Sequence, residues 1–306
     1  MTWRLHISNR AIQYLDILDG EPTVVAAWSR RDRVAYYDLE TGAPLGEHAL
    51  RTIAVENRQG IEWQAFLAEL VAPNGAPLPI VRMPHITIYT TDDGRMRLYH
   101  VNQHQLYLES EDKEVPLEVE ETEEFRVLAL DRFLGLSAAL AEDGKLHVYQ
   151  QHIRVGVFDL GLSVERDLMP SVAISRGGGS IFVCDGQYII LTDSSGKARK
   201  KLETPYFVGK MACSPAGRYL VTSDLETGVV RVYHGADLTL LRQRFAVDLM
   251  AKATQLQLMG DPPPISVALS ALAIDNRGII AFAMSGVICV TALTQMDELP
   301  RPQALL

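Results

Sequence analysis

Apolar and polar residues alternate along this chain in short runs, not at helical spacing. Arg95-Met-Arg-Leu-Tyr-His-Val101, Lys145-Leu-His-Val-Tyr-Gln150 and Val229-Val-Arg-Val-Tyr-His234 place Val, Leu and Tyr at every second position. A period of two predicts half-buried antiparallel strands. Each run follows a turn that ends in glycine: Asp92-Asp93-Gly94, Glu142-Asp143-Gly144 and Glu226-Thr227-Gly228. Asp185-Gly186 and Ser285-Gly286 are further turns of this kind. Such pairs supply the positive φ that tight hairpins require.

The whole unit returns at least four times. Ala129–Gly144, Ala173–Gly186, Ala212–Gly228 and Ala273–Gly286 each read as a strand end, a glycine-containing turn, an apolar strand and a second turn closed by glycine. A further turn and strand complete the unit, as in Gln105-Leu-Tyr-Leu-Glu109 and Ile153-Arg-Val-Gly-Val-Phe158. Each unit therefore predicts four antiparallel strands. The second strands start near residues 86, 136, 181, 218 and 279, at spacings of 50, 45, 37 and 61. The longest spacing contains an insertion around 248–264. Several four-stranded units at such spacing predict an all-β fold built by radial repetition, a β-propeller.

Two segments carry a family likeness. Tyr37-Asp38-Leu39-Glu40-Thr41-Gly42 resembles the end of a WD-type strand, with Tyr in place of Trp. Ser214-Pro215-Ala216-Gly217-Arg218 resembles the turn between the first two strands of such a repeat. The chain is thus similar to the WD40 and YVTN-like propeller families over residues 20–50 and 85–293. The Gly-His and Trp-Asp signatures do not occur. The resemblance implies one propeller domain over 1–306. It also implies that first-to-second and third-to-fourth turns share one face, and the remaining turns the other.

The N-terminal third reads two ways. Ala27–Gly42 aligns with Ala212–Gly228 as a first and second strand, while Tyr36-Tyr37-Asp38 reads equally well as the end of a third strand. Residues 51–83 form a second insertion, and Ile61–Val71 suits either a helix or a strand before Pro73-Asn74-Gly75. The strand reading gives seven blades and the helix reading six; at ~44 residues per blade the length favours seven. Trp3-Arg-Leu-His-Ile7 is expected to pair into the last blade, closing the ring and hiding an edge. Val247, Leu249, Met250, Leu256, Leu258 and Met259 predict a short helix before Pro262-Pro263-Pro264. That insertion is read as a loop packed on the rim, or as a partner-binding lip.

Composition narrows the classes. Hydrophobic residues are 47% of the chain, enough for a large core, and a net charge of −9 argues against a generally basic nucleic-acid binder. Cys184, Cys213 and Cys289 lie in apolar strand patterns without a CxxC pair, which fits buried thiols in a reducing compartment. Met1–Ser8 lacks the apolar run of a secretion signal, so a cytoplasmic location is expected. The uncharged stretch Gly278–Leu293 contains a Ser-Gly turn and reads as two buried strands, not a membrane span.

Charged turn residues sort by turn type. First-to-second turns are read as holding Arg30, Arg31, Arg132, Arg176, Arg218 and Arg277. Second-to-third turns hold Asp92, Asp93, Glu142, Asp143, Asp185, Asp224 and Glu226, and Lys197, Arg199, Lys200 and Lys201 lie in a third-to-fourth region. One face would be basic and the other acidic, able to steer a charged partner. The alternative is plain turn chemistry, since Asp caps turns through backbone hydrogen bonds. The acidic run Glu109–Glu124 reads as a solvated segment without calcium-loop spacing. His100, His104, His147, His152 and His234 form no zinc motif. Gly177-Gly178-Gly179-Ser180 lacks the Lys of a phosphate-binding loop and reads as a turn.

No nucleophile, acid/base pair or metal set emerges, and no cofactor is expected. The expected function is a non-enzymatic scaffold that binds a protein or peptide partner through charged turn faces, with no nucleic acid or membrane partner. A lactonase- or hydrolase-type enzyme with a central-channel site is the first alternative, because fold alone does not settle activity. An anion-binding platform on the arginine face is the second.

Overall fold

The computed structural model describes residues 2–6, 12–17, 24–29, 33–49, 80–83, 86–90, 96–101, 105–110, 113–116, 125–131, 136–150, 153–164, 169–255 and 268–296. These residues form six sheets; five are antiparallel runs of consecutive hairpins, and the sixth joins both ends of the chain and includes one parallel pair. Sheet I contains β2 (Ile12–Ile17), β3 (Val24–Ser29), β4 (Arg33–Asp38) and β5 (Pro44–Ala49). Sheet II contains β6 (Ile80–Met83), β7 (Ile86–Thr90), β8 (Met96–Val101), β9 (Gln105–Ser110) and β10 (Lys113–Pro116). Sheet III contains β11 (Phe125–Leu130), β12 (Leu136–Ala141), β13 (Lys145–Gln150) and β14 (Ile153–Asp159). Sheet IV contains β15 (Ser171–Ile174), β16 (Ile181–Cys184), β17 (Tyr188–Thr192) and β18 (Ala198–Glu203). Sheet V contains β19 (Val208–Cys213), β20 (Tyr219–Asp224), β21 (Val229–His234) and β22 (Leu240–Phe245).

Sheet VI joins the two ends of the chain. β24 (Ala271–Ile274), β25 (Ile279–Met284) and β26 (Val287–Ala292) are followed by β1 (Thr2–His6) and then by β23 (Thr254–Gln255). β1 runs antiparallel to β26 with Trp3 opposite Val290, so the N-terminal strand does enter the last sheet. β23 lies parallel to β1 and covers its outer edge, with Trp3 opposite Thr254.

Adjacent sheets pack through their inner strands. β2 lies against β24 and β25, β24 against β19 and β20, β19 against β15, β15 against β11 and β12, and β11 against β7. The core therefore sits between sheets, not within one. Between III and IV it contains Leu136, Leu140, Leu146, Val148, Ile181 and Ile190. Between V and VI it contains Val221, Val232, Ile280, Phe282 and Cys289. Middle strands are buried on both faces, as in β12, whose six residues are all buried. This is why the second strand of each unit reads as an uninterrupted apolar run.

A repeated irregularity marks the outer strands. In sheets I, III, IV and V the pairing of third and fourth strands shifts register once, beside Tyr37, Tyr149, Thr192 and Tyr233. Each bulge inserts one residue into the outer strand and twists it, which disfavours edge-to-edge pairing.

Several expectations are corrected. Val24–Ser29 is a second strand and Arg33–Asp38 a third, so the third-strand reading of Tyr36-Tyr37-Asp38 holds. The insertion at 51–83 is shorter than read, because Ile80–Met83 already form β6; residues 51–79, on which a seventh blade rested, lie outside the described residues. The second insertion begins with helix α1 (Ala246–Lys252), whose Ala246, Leu249 and Met250 are buried in the core between V and VI. The apolar face of this part packs inward, while Val247 is exposed; residues 256–267 lie outside the described residues. The stretch Gly278–Leu293 forms β25 and β26 around Ser285 and Gly286, both with positive φ, as a tight hairpin requires.

Candidate interaction surface

The turns between first and second strands share one construction. Asp131, Ser175, Ser214 and Asp275 stand at the same place in sheets III to VI and are all buried. Each donates its backbone N–H to the carbonyl that starts the next strand: Leu136, Ser180, Tyr219 and Ile279 respectively. Ser175 Oγ accepts from Ser180 N at 3.0 Å, Ser214 Oγ from Tyr219 N at 3.0 Å, and Asp275 Oδ1 from Ile279 N at 2.8 Å. A short polar side chain that closes its own turn explains Ser175, Ser214 and Asp275 at this position.

Neighbouring turns of this kind are also tied together. Gly177 N donates to Asp131 Oδ1 at 3.0 Å, linking sheets IV and III. Arg176 N donates to Pro215 O at 2.5 Å, linking IV and V. Ala216 N donates to Asn276 Oδ1 at 2.7 Å, linking V and VI. Gly177 and Gly178 have φ of 80° and 65°, so the glycine run is a turn whose first amide is already engaged by Asp131. The four turns form one continuous, cross-linked arc.

Three of the expected arginines stand on this arc. Arg176 and Arg218 are exposed. Arg277 is exposed too, with Nε 2.7 Å from Asp275 Oδ2. Arg132 lies outside the described residues, in the connection between β11 and β12. Arg30 and Arg31 also lie outside them, and their assignment changes: they stand between β3 and β4, a second-to-third connection, and not with the other arginines.

The carboxylates of the opposite set are engaged within the fold. Asp185 is buried; its Oδ1 accepts from Gln187 N and Tyr188 N, and its Oδ2 from Ser163 N of the preceding sheet's connection. Asp143 pairs with Lys145. Burial opposes ionisation of Asp143, but the hydrogen bonds and charge of Lys145 outweigh it and hold the carboxyl below its ordinary value. Glu142 is hydrogen-bonded to Arg126. Asp92 and Asp93 lie outside the described residues, between β7 and β8. Asp224 Oδ1 accepts from the amides of Glu226 and Thr227, and the Glu226 side chain is exposed. Carboxylates close turns on both faces, Asp131 and Asp275 on the arginine arc and Asp185 and Asp143 opposite; Arg176 and Arg218 are exposed, and Arg277 is exposed but paired with Asp275.

One network escaped sequence reasoning. Tyr206, between sheets IV and V, hydrogen-bonds through its hydroxyl to Tyr233 and to Thr222 Oγ1. Arg231 stacks on the Tyr206 ring at 3.7 Å and donates Nε to Gln243 Oε1 at 3.2 Å. Its Nη1 lies 3.5 Å from Asp224 Oδ2. Burial pushes both tyrosine hydroxyls upward, so they remain neutral donors. The network fixes the connection into sheet V against its strands. Its members are scattered over residues 206–243, and only the sheet brings them together.

The remaining chemistry-bearing residues are separate. His147 is buried, edge-on to Phe125 at 5.2 Å. His234 is exposed, 3.3 Å from Asp237. His100 lies on β8, and His104 and His152 lie outside the described residues. Among the described residues no group of three or more His, Cys, Asp or Glu could hold a metal ion. Cys184 and Cys289 are buried and their thiols are pushed up to about 12 by burial. Cys213 is partly buried as a residue, but burial pushes its thiol up to about 12 as well. No helix of the described residues is long and apolar enough to cross a membrane.

No protein-family model and no curated protein matches the chain. Among solved structures it is similar to Raptor from Chaetomium thermophilum, with a TM-score of 0.62 at 12% identity. The match covers 98% of this chain and 29% of that one, so this chain spans under a third of its length. At that identity the likeness is one of fold alone, and the fold recurs in 1583 solved chains. So widely shared an architecture selects no activity by itself; what it shows is an all-β, propeller-like arrangement.

Proposed function

We propose that the chain is a single β-propeller that serves as a non-enzymatic interaction scaffold in the cytoplasm, with the arginine-bearing turn arc as its partner-binding face. The observation that carries this reading is the contrast between the two sets of turns. The arc is cross-linked from sheet III to sheet VI and presents Arg176, Arg218 and Arg277 outward. The opposite carboxylates of Asp185 and Asp143 are taken up by amides and by Lys145. A rigid surface carrying outward arginines suits an acidic protein segment, because preorganised donors lose little entropy on binding.

The blade number belongs to this proposal. Residues 50–79 between β5 and β6 number 30, fewer than the 33 of the shortest four-stranded sheet, Ser171–Glu203. That favours six blades over seven. Ring closure is supported by β1 in sheet VI and by the packing of β2 on β24 and β25.

The test is affinity capture from native lysate with the wild-type chain and with Arg176→Glu/Arg218→Glu, both checked for equal melting temperature. Acidic partners are expected to be lost from the variant and to elute from the wild type with salt. An unchanged captured set refutes the arginine face. Turnover in a panel of lactones and esters refutes the non-enzymatic reading. Equal binding of heparin and acidic proteins, with both lost in the variant, favours the anion-platform reading instead.

A further inference from the structure

The outer strands reveal which sheet edges this chain protects. Sheet VI is covered by β23, and sheet II carries β10 as a fifth strand. β18 presents Arg199, Lys200, Lys201 and Glu203, all exposed. β22 exposes large apolar residues only at its two ends, Leu240 and Phe245, with Arg242 and Arg244 between them. β5 opens with Pro44 and exposes one such residue, Leu45. Charges, proline and extra strands are the usual protection against edge pairing.

β14 shares the outer-strand bulge, at Val155, but departs from this pattern in its side chains. Ile153, Val155 and Val157 are 63%, 47% and 40% exposed within seven residues. Among the described residues β14 pairs only with β13, so its second edge is open. The pairing places Ile153 opposite Gln150 and Val157 opposite His147, with Val155 as the extra residue of the bulge. Gln150 and His147 are three apart on one strand and point to opposite faces. Exposed aliphatic side chains therefore flank the open edge on both faces. A flat partner surface would cover one face; a strand added edge-on would cover both.

The flank of this edge carries more cations than acids, the exposed acids being Asp159 at the end of β14 and Glu203 at the end of β18. Lys201 Nζ donates to Gly161 O at 3.3 Å, two residues beyond the end of β14. Arg199 lies 3.9 Å from Asp193, in the turn whose Gly196 packs on Phe158 of β14. Lys197 and Lys200 are exposed on the same segment, and Arg154 lies within β14 itself.

We propose that β14 is a strand-addition site for an extended, acidic segment of a partner protein that carries aliphatic residues beside Ile153, Val155 and Val157. Backbone pairing supplies affinity in this mode, and the flanking cations select carboxylates. The site lies on an outer strand and is independent of the arginine turn arc.

The probe is a short fluorescein-labelled peptide of valine, isoleucine and glutamate, read by polarisation and by amide hydrogen exchange of β14. Saturable binding and slowed exchange over 153–159 are expected. Binding should weaken about tenfold or more for Ile153→Asp/Val157→Asp, for the peptide N-methylated at alternate amides, and for a lysine-for-glutamate peptide. Arg176→Glu/Arg218→Glu should bind the peptide normally. Absence of binding, or binding indifferent to N-methylation and to the β14 variant, overturns the proposal. A concentration-dependent dimer that Ile153→Asp/Val157→Asp abolishes assigns the edge to a second copy and also overturns the stated occupant. All the substituted residues are exposed, and an equal melting temperature verifies that the variants fold.

Discussion

Replacing Trp3 tests the joint between the first and last sheets. Trp3 lies on β1 in sheet VI and is 3% exposed. Its ring packs in a core drawn from both sheets: Ile12, Leu15, Ile17 and Leu39 on one side, Ala281, Ile288 and Val290 on the other. Its Nε1–H donates to Leu39 O at 2.9 Å, across 36 residues of chain. Truncating a buried Trp to Ala costs about 3–5 kcal/mol in lost burial and cavity. Leaving the buried Leu39 carbonyl without its donor adds about 1–3 kcal/mol. Trp3→Phe keeps most of the apolar contact and loses the donor, so about 2 kcal/mol is expected. At roughly 2–4 °C per kcal/mol for a domain of this size, the Ala variant should melt on the order of 10 °C lower. Calorimetry and denaturant titration give the magnitudes, and hydrogen exchange gives the location. Protection should fall in β2 and β26 together, because both line the same core. If Trp3→Ala costs under about 1 kcal/mol, or if exchange rises in sheet VI alone, the joint does not carry the load assigned to it.

Two further predictions follow from particular residues. Asp224 is held below its ordinary value of 3.8: burial alone would raise it, but hydrogen bonds from Thr227 and Glu226 and the Arg231 charge prevail. Asp38 and Asp193 are also lowered, chiefly by the side-chain hydrogen bonds of Thr41 and Ser195. A depressed carboxylate contributes stability above its unfolded value and loses it as pH falls through its folded one. Urea midpoints should therefore hold from pH 7 to about 5 and drop below about pH 4; an acid limb as steep in Asp224→Asn as in the wild type would contradict this. Arg231→Met should cost about 2 kcal/mol by removing the stacked cation and its partly buried pairing. A double-mutant cycle with Tyr206→Leu should return about 1 kcal/mol of coupling, and additive effects would dissolve the network.

The chain's own pattern of alternation and glycine turns determined its strands, their antiparallel order and the equivalence of its repeats. These are local properties: a two-residue period, and a positive φ at Gly186, Gly228 or Gly286, are set by neighbours in sequence. The Ser or Asp that closes a first turn is equally local, its hydrogen bond spanning four or five residues, although the sequence alone did not single it out. Residues 27–42 stayed ambiguous for the same reason, because one alternating run suits either a second or a third strand until a partner is chosen. The tertiary structure alone decided what those turn residues are available for. Asp185 and Asp143 stand in second-to-third turns and Arg176 and Arg218 in first-to-second turns; the carboxylates are engaged by amides and Lys145, while these two arginines are exposed. Entry of β1 into the last sheet is expected from the sequence, but its register with β26, the Tyr206–Arg231 network and the open edge of β14 depend on which sheets meet. Contacts between residues tens or hundreds of positions apart leave no periodic trace, so only the assembled sheets could reveal them.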